Sequence, residues 1–206
     1  MGLQDERREQ TRMRLLEATV ACLVERGFAN LTTAEVAQRA GVSKGAQLYH
    51  FPKKDDLVVA ALKHLFAERM EASRQIVSAL PKEMPLRMGA LIDDLWTVYK
   101  GDVFFAWLEL VVAGRTDIAL RDEVQDASLR LSVDTTRLWQ AVFPELDADL
   151  MQFHVLNQII NGQLASLSLF NVLEESRDSP EVVSALSAIK EVGNFMLERM
   201  RRRDAL

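Results

Sequence analysis

The chain has 206 residues, 49% of them hydrophobic and 27% charged, with a formal net charge of -5. This ordinary globular composition excludes a disordered tail and a disulfide-stapled miniprotein. The single cysteine, Cys22, has no partner for an intramolecular disulfide, and three scattered histidines, His50, His64 and His154, give a structural zinc site no ligand set, so no metal and no cofactor is expected.

The N-terminal stretch from Met1 to Arg14 mixes four arginines with three acids and has no apolar run, so no signal peptide is read and the expected compartment is the cytoplasm. The most apolar window, Val155 to Leu173, carries Asn157, Gln158, Asn161, Gln163 and Asn171, and five amides make a lipid-exposed span costly. It reads as a buried helix. Charge is uneven along the chain: residues 1–54 hold nine Lys and Arg against six Asp and Glu, whereas the remainder holds 16 against 24. A mildly basic head on an acidic body permits a nucleic-acid partner that the net charge alone argues against.

Nearly every segment has helical period and none has a strand's alternation, so the chain is expected to be all-α, with about nine helices. They are predicted over 5–27, 33–39, 44–51, 54–80, 86–100, 103–114, 118–142, 148–174 and 181–203. Thr32-Thr33-Ala34-Glu35 has the pattern of a capping box, and Thr116 or Asp117, Pro144 and Ser179-Pro180 punctuate the later helices.

The second and third helices span only about two turns each and need a neighbour to be stable. With the first helix, whose stripe is Leu16, Val20 and Leu23, they make a three-helix unit in which Val36, Ala37, Ala40, Val42 and Leu48 supply the apolar contacts. Gly41 suits the turn, and Ser43 caps the third helix. This spacing is a helix-turn-helix. Lys44 is placed to reach a guanine edge or a phosphate, while Gly45 and Ala46 permit close approach to a base or a thymine methyl. Tyr49, His50 and Lys54, with Thr32 and Thr33 at the start of the second helix, suit phosphate contacts. Arg7, Arg8, Arg12 and Arg14, interleaved with acids, read mostly as a solvated face, with Arg12 or a preceding arginine as the candidate for a weak further backbone contact.

Leu31-Thr32-Thr33-Ala34-Glu35-Val36-Ala37 and Gly41-Val42-Ser43-Lys44-Gly45-Ala46-Gln47-Leu48-Tyr49-His50-Phe51-Pro52-Lys53-Lys54-Asp55-Asp56-Leu57 resemble the DNA-binding head of TetR-family bacterial regulators. The resemblance implies a homodimeric transcription factor, usually a repressor, whose third helix enters the major groove and whose larger helical body binds a small-molecule inducer. It divides the chain into a helix-turn-helix domain, 1–53, and an effector-binding and dimerisation domain, 54–206. The family often has tyrosine where Leu48 stands, so the contact carried over to that position is lost and Tyr49 is read as its substitute. Gln47 occupies a position that is frequently apolar in the family, and the sequence leaves open whether it reads an adenine or faces the interior.

Two other classes compete. Gly41-Val42-Ser43-Lys44-Gly45 fits the G-x-S-x-G pattern of serine hydrolases, but that elbow needs a strand before the serine and none is visible. A helical protein-interaction module would use the long apolar helices and leave the helix-turn-helix spacing unexplained. The chain is therefore expected not to be an enzyme.

In the body, the last helix carries a stripe of Val182, Leu186, Ile189, Gly193, Met196 and Met200. Together with Gly162 and Ser166 on the preceding helix it is assigned to an isologous four-helix dimer interface, the alternative being completion of the monomer core. Trp96, Tyr99, Phe105, Trp107 and Trp139 are candidate ligand-pocket residues, with Asn157 and Asn161 as buried amides in need of a ligand or a partner chain. Lacking a charge constellation, such a pocket suits an uncharged apolar or amphipathic molecule.

Overall fold

A computed structural model describes residues 2–77, 79–146, 148–171 and 179–203, the side chains of Leu3 and Arg203 excepted. The described residues contain no strand and form nine helices: α1 (Leu3–Asn30), α2 (Thr33–Arg39), α3 (Lys44–His50), α4 (Lys54–Val77), α5 (Met84–Tyr99), α6 (Asp102–Ala113), α7 (Ile118–Val142), α8 (Leu150–Phe170) and α9 (Pro180–Arg203). The predicted end of the eighth helix at Glu174 lies outside the described residues. Asp117 caps α7 by accepting from the Leu120 N–H at 3.0 Å. Asp149 and Gln152 form a reciprocal capping box at α8, a signal not read from the sequence.

The chain divides into two compact units. One comprises residues up to Glu68 together with Asp102–Ser128. In it Leu15, Leu16, Cys22 and Leu23 of α1 are buried with Val36, Ala37, Phe51, Leu57 and Leu62, and with Phe104 and Leu110 of α6. Val20, from the predicted stripe, is only half-buried. α1 is broken at Gly27, whose φ of 70° and ψ of 164° are a conformation open essentially to glycine alone. Gly41, φ 65°, makes the α2–α3 turn for the same steric reason. Arg39 forks onto Glu25 at 2.5 and 2.6 Å, and Arg26 pairs with Glu35 at 3.4 Å, so two exposed ion pairs tie α2 to α1. The Cys22 thiol, fully buried beneath them, has its pKa raised by burial, against a smaller opposing effect of Arg39.

The other unit comprises Arg69–Gly101 and the chain from Leu129 onward. Its core brings together Met88, Ile92 and Trp96 of α5, Trp139 and Phe143 of α7, Phe153, Leu156 and Ile160 of α8, and Val182, Leu186, Ile189, Leu197 and Met200 of α9. Gly193 permits α9 to approach α5 closely, since a Cβ there would lie 3.0 Å from Met88 Sδ. This overturns the assignment of the α9 stripe to a dimer interface. Leu186, Ile189 and Met200 are at most 8% exposed, Gly193 is buried and Met196 is packed against the same core. Their area is already spent inside the chain. The face that stays open on α8 and α9 holds Gly162, Ser166, Ile159, Phe170, Val192 and Phe195.

Candidate nucleic-acid interface

The α2–turn–α3 segment is held from within by caps. Thr32 Oγ1 accepts from the Glu35 N–H at 3.2 Å and Ser43 Oγ accepts from the Ala46 N–H at 3.1 Å. Glu35 turns its carboxylate to Arg26, so only half of the expected capping box forms. Ser43 is thus a helix cap, and no strand precedes it among the described residues, which removes the hydrolase reading of Gly41–Gly45.

Around α3, a turn of 3.6 residues puts Lys44, Gly45, Leu48 and Tyr49 on one continuous arc, and all four are exposed. Ala46 and His50 are half-buried at its borders, and Gln47 faces inward. Gln47 is 1% exposed and its Nε2 donates to the Phe51 carbonyl at 2.6 Å. Of the two directions the sequence left open, Gln47 takes the interior one and drops out of the candidate DNA contacts: the amide is enclosed and occupied. Leu48, expected in the interior, is 44% exposed, so the two neighbours have exchanged roles. A Cβ on Gly45 would meet only Ser43 Oγ at 3.9 Å, leaving that side of the helix open to a close approach.

Tyr49 is 62% exposed; the Arg8 guanidinium lies 5.1 Å from its ring centroid, and the His50 ring meets it edge-on at 5.3 Å. Arg12 stands 5.9 Å from the Phe51 ring. The His50 pKa is lowered, first by burial and then by the charges of Arg8 and Arg12, with Glu9 opposing. Arg8 is one of the arginines preceding Arg12 that the sequence offered for a backbone contact; the stacking that brings it to α3 is tertiary and has no local signature.

Lys54 differs most from expectation. Its Nζ donates to the Phe28 carbonyl at 2.5 Å and sits 4.2 Å from the Phe28 ring centroid, and burial lowers its pKa. Its ammonium is engaged at the end of α1. Lys53, one residue earlier, is exposed and forms no ion pair among the described residues.

The candidate pocket residues fall in both units. In the unit that contains Asp102–Ser128, Trp107 Nε1 donates to Ser128 Oγ at 2.9 Å and Phe105 stacks edge-on with Phe104 at 5.3 Å. In the other unit, Trp139 is 1% exposed within the core. The amides find partners inside the chain: Tyr99 Oη donates to Asn161 Oδ1 at 2.7 Å, Asn161 Nδ2 to Asn157 Oδ1 at 2.5 Å, and Asn157 Nδ2 to Thr135 Oγ1 at 3.2 Å. Burial raises the Tyr99 pKa, so its hydroxyl stays a donor. Asn157 and Asn161 therefore do not require a ligand or a partner chain to be satisfied. Trp96 Nε1, by contrast, is buried without an acceptor among the described residues.

A capped, internally tied helix-turn-helix presenting a short helix with a lysine, an open glycine and two exposed apolar side chains defines a DNA-binding regulator. Residues 15–61 match the family of bacterial regulatory proteins, tetR family. The chain is 34% identical over 139 residues to the HTH-type transcriptional regulator CymR of Pseudomonas putida, a stretch covering 68% of each chain. It is 32% identical over 123 residues to an uncharacterized HTH-type transcriptional regulator of Mycobacterium tuberculosis, covering 60% of this chain and 63% of that one. The fold matches that of a putative TetR-family regulator from Mesorhizobium loti with a TM-score of 0.74 at 14% identity, over 93% and 97% of the two chains. It also matches the multidrug binding protein EbrR complexed with ethidium, with a TM-score of 0.63 at 21% identity, over 90% and 98%. The chain belongs to the TetR family of bacterial transcriptional regulators, and it is a regulator rather than an enzyme.

Proposed function

We propose that the protein is a homodimeric repressor that binds a palindromic operator and is released from it by a small-molecule inducer. The observation that carries this reading is the exposed arc of α3, where Lys44, Gly45, Leu48 and Tyr49 stand outward while the Ser43 and Gln47 side chains are tied internally. Lys44 is the base-reading cation; Lys53 and Arg8, with Thr33 and His50, serve the phosphates. Residues 1–53 form the reading domain and 54–206 the effector and dimerisation domain, working with the chromosome in the cytoplasm.

Dimerisation is assigned to the open faces of α8 and α9. Phe170 is 84% exposed and Phe195 60%, and Ile159, Ser166, Ala188 and Val192 line an open groove between these helices. A homodimer of this kind reads two half-sites on successive major grooves, about 34 Å apart. The inducer is read as a small, apolar or amphipathic molecule with a hydrogen-bond acceptor, because Trp96 holds an unmet donor in an apolar core. A small aromatic molecule is bound by one protein of similar fold, EbrR, in its complex with ethidium.

Selection of duplexes from fragmented bacterial genomic DNA tests the reading. One recurrent palindrome is expected, bound by two chains, with affinity falling as salt rises because phosphate neutralisation releases counterions. No enrichment of any duplex at low salt would reject it.

A further inference from the structure

Leu48 is an exposed apolar side chain on a seven-residue helix that otherwise presents Lys44, Gly45 and Tyr49. Its inward neighbour Gln47 is buried and hydrogen-bonded, so on this helix the apolar side chain faces out and the amide faces in. Its surroundings are cationic and open. Lys44 precedes it by one helical turn and Gly45 leaves the adjacent backbone open. Arg8 lies over the neighbouring Tyr49 ring. A positively charged rim around a small apolar patch complements a polyanion that carries apolar groups within its groove. In duplex DNA the apolar group that projects into the major groove is the thymine C5-methyl.

We propose, resting on the operator-binding reading above, that Leu48 is a specificity-determining residue that packs against a thymine methyl in each half-site. Lys44, on the same arc, reads the neighbouring base pair or phosphate. A leucine has no hydrogen-bonding atom in its side chain, so it contributes nothing to phosphate affinity and acts only where a methyl is present. Ala46, the methyl-bearing candidate from the sequence, is half-buried and cannot reach as far.

The test uses the full chain and its selected operator, with each thymine replaced in turn by deoxyuridine, which removes the methyl and keeps the pairing edge. One position per half-site is expected to lose about fourfold in affinity, the worth of one buried methyl. Leu48→Ala should bind the thymine operator more weakly and show no difference between thymine and uracil there, and Leu48→Met should restore the difference. Wild-type protein indifferent to every replacement, or Leu48→Ala with undiminished sensitivity, would overturn the proposal while leaving operator binding standing. Failure to select any duplex would instead remove the operator reading itself, and this proposal with it.

Discussion

The Glu109 carboxylate accepts a hydrogen bond from the Phe28 N–H at 2.9 Å, fastening α6 to the broken end of α1. Lys54 holds the carbonyl of the same residue, so both peptide groups of Phe28 are bound by charged side chains. A Cβ on Gly27 would lie 2.9 Å from Glu109 Oε2. Glu109→Ala should cost about 1 kcal/mol, a charge-assisted bond discounted for its exposure. Gly27→Ala should cost about 1–3 kcal/mol because alanine does not adopt this φ and ψ. Denaturant titration of the double variant separates the causes: the Gly27→Ala cost should persist without Glu109, whereas its disappearance would make the collision, not the backbone, decisive.

Lys53 and Lys54, adjacent in sequence, should respond differently to alanine. Lys53→Ala should weaken binding to all duplexes alike and reduce the salt slope by about 1, with an unchanged melting temperature. Lys54→Ala should lower the melting temperature as well, since it leaves the Phe28 carbonyl without its donor. Equal melting temperatures for the two variants would contradict the assignment.

His50 sets a pH dependence. Its folded pKa lies below the unfolded value of about 6.5, so between the two the unfolded chain binds more protons. The stability it contributes is full above the unfolded value and is lost as pH falls through the folded one. His50→Gln should flatten that part of the stability profile, measured by chemical denaturation across the acid range. Bound phosphates act oppositely, stabilising the imidazolium, so operator affinity should increase on acidification in the wild type and less so in His50→Gln.

Substitutions on α9 should sort by face. Phe195→Glu, on the open side, should yield a folded monomer by light scattering, because repeating the charge across a two-fold seam leaves it unpaired. Ile189→Glu, at 7% exposure in the core, should unfold the unit at a cost of about 3 kcal/mol or more. A folded, dimeric Phe195→Glu protein would move the interface elsewhere.

The helices were legible because caps and period are local: the limits of α2 and α7 coincide with those read from the sequence, and Gly27 marks where α1 breaks. The partition of faces was less so. Gln47 and Leu48 are adjacent on a two-turn helix, too short for its period to fix which side is inward, and hydrophobicity alone chose the wrong one. The α9 stripe was correctly read as buried, but one chain's pattern does not say whether its cover is Met88 of the same chain or a second copy. Lys54 was read by charge, and its engagement with Phe28, 26 residues away, has no local signature.

Cys22 is the chain's only thiol and is wholly enclosed beneath the Arg39–Glu25 pair. A thiol reagent can therefore modify the native protein only through transient opening of the head, and each labelling event counts one such opening. The rate of a single covalent reaction becomes a gauge of how often the reading head comes apart, separate from the unit that carries α9, and bound DNA should slow it in proportion to the affinity it adds to the closed form.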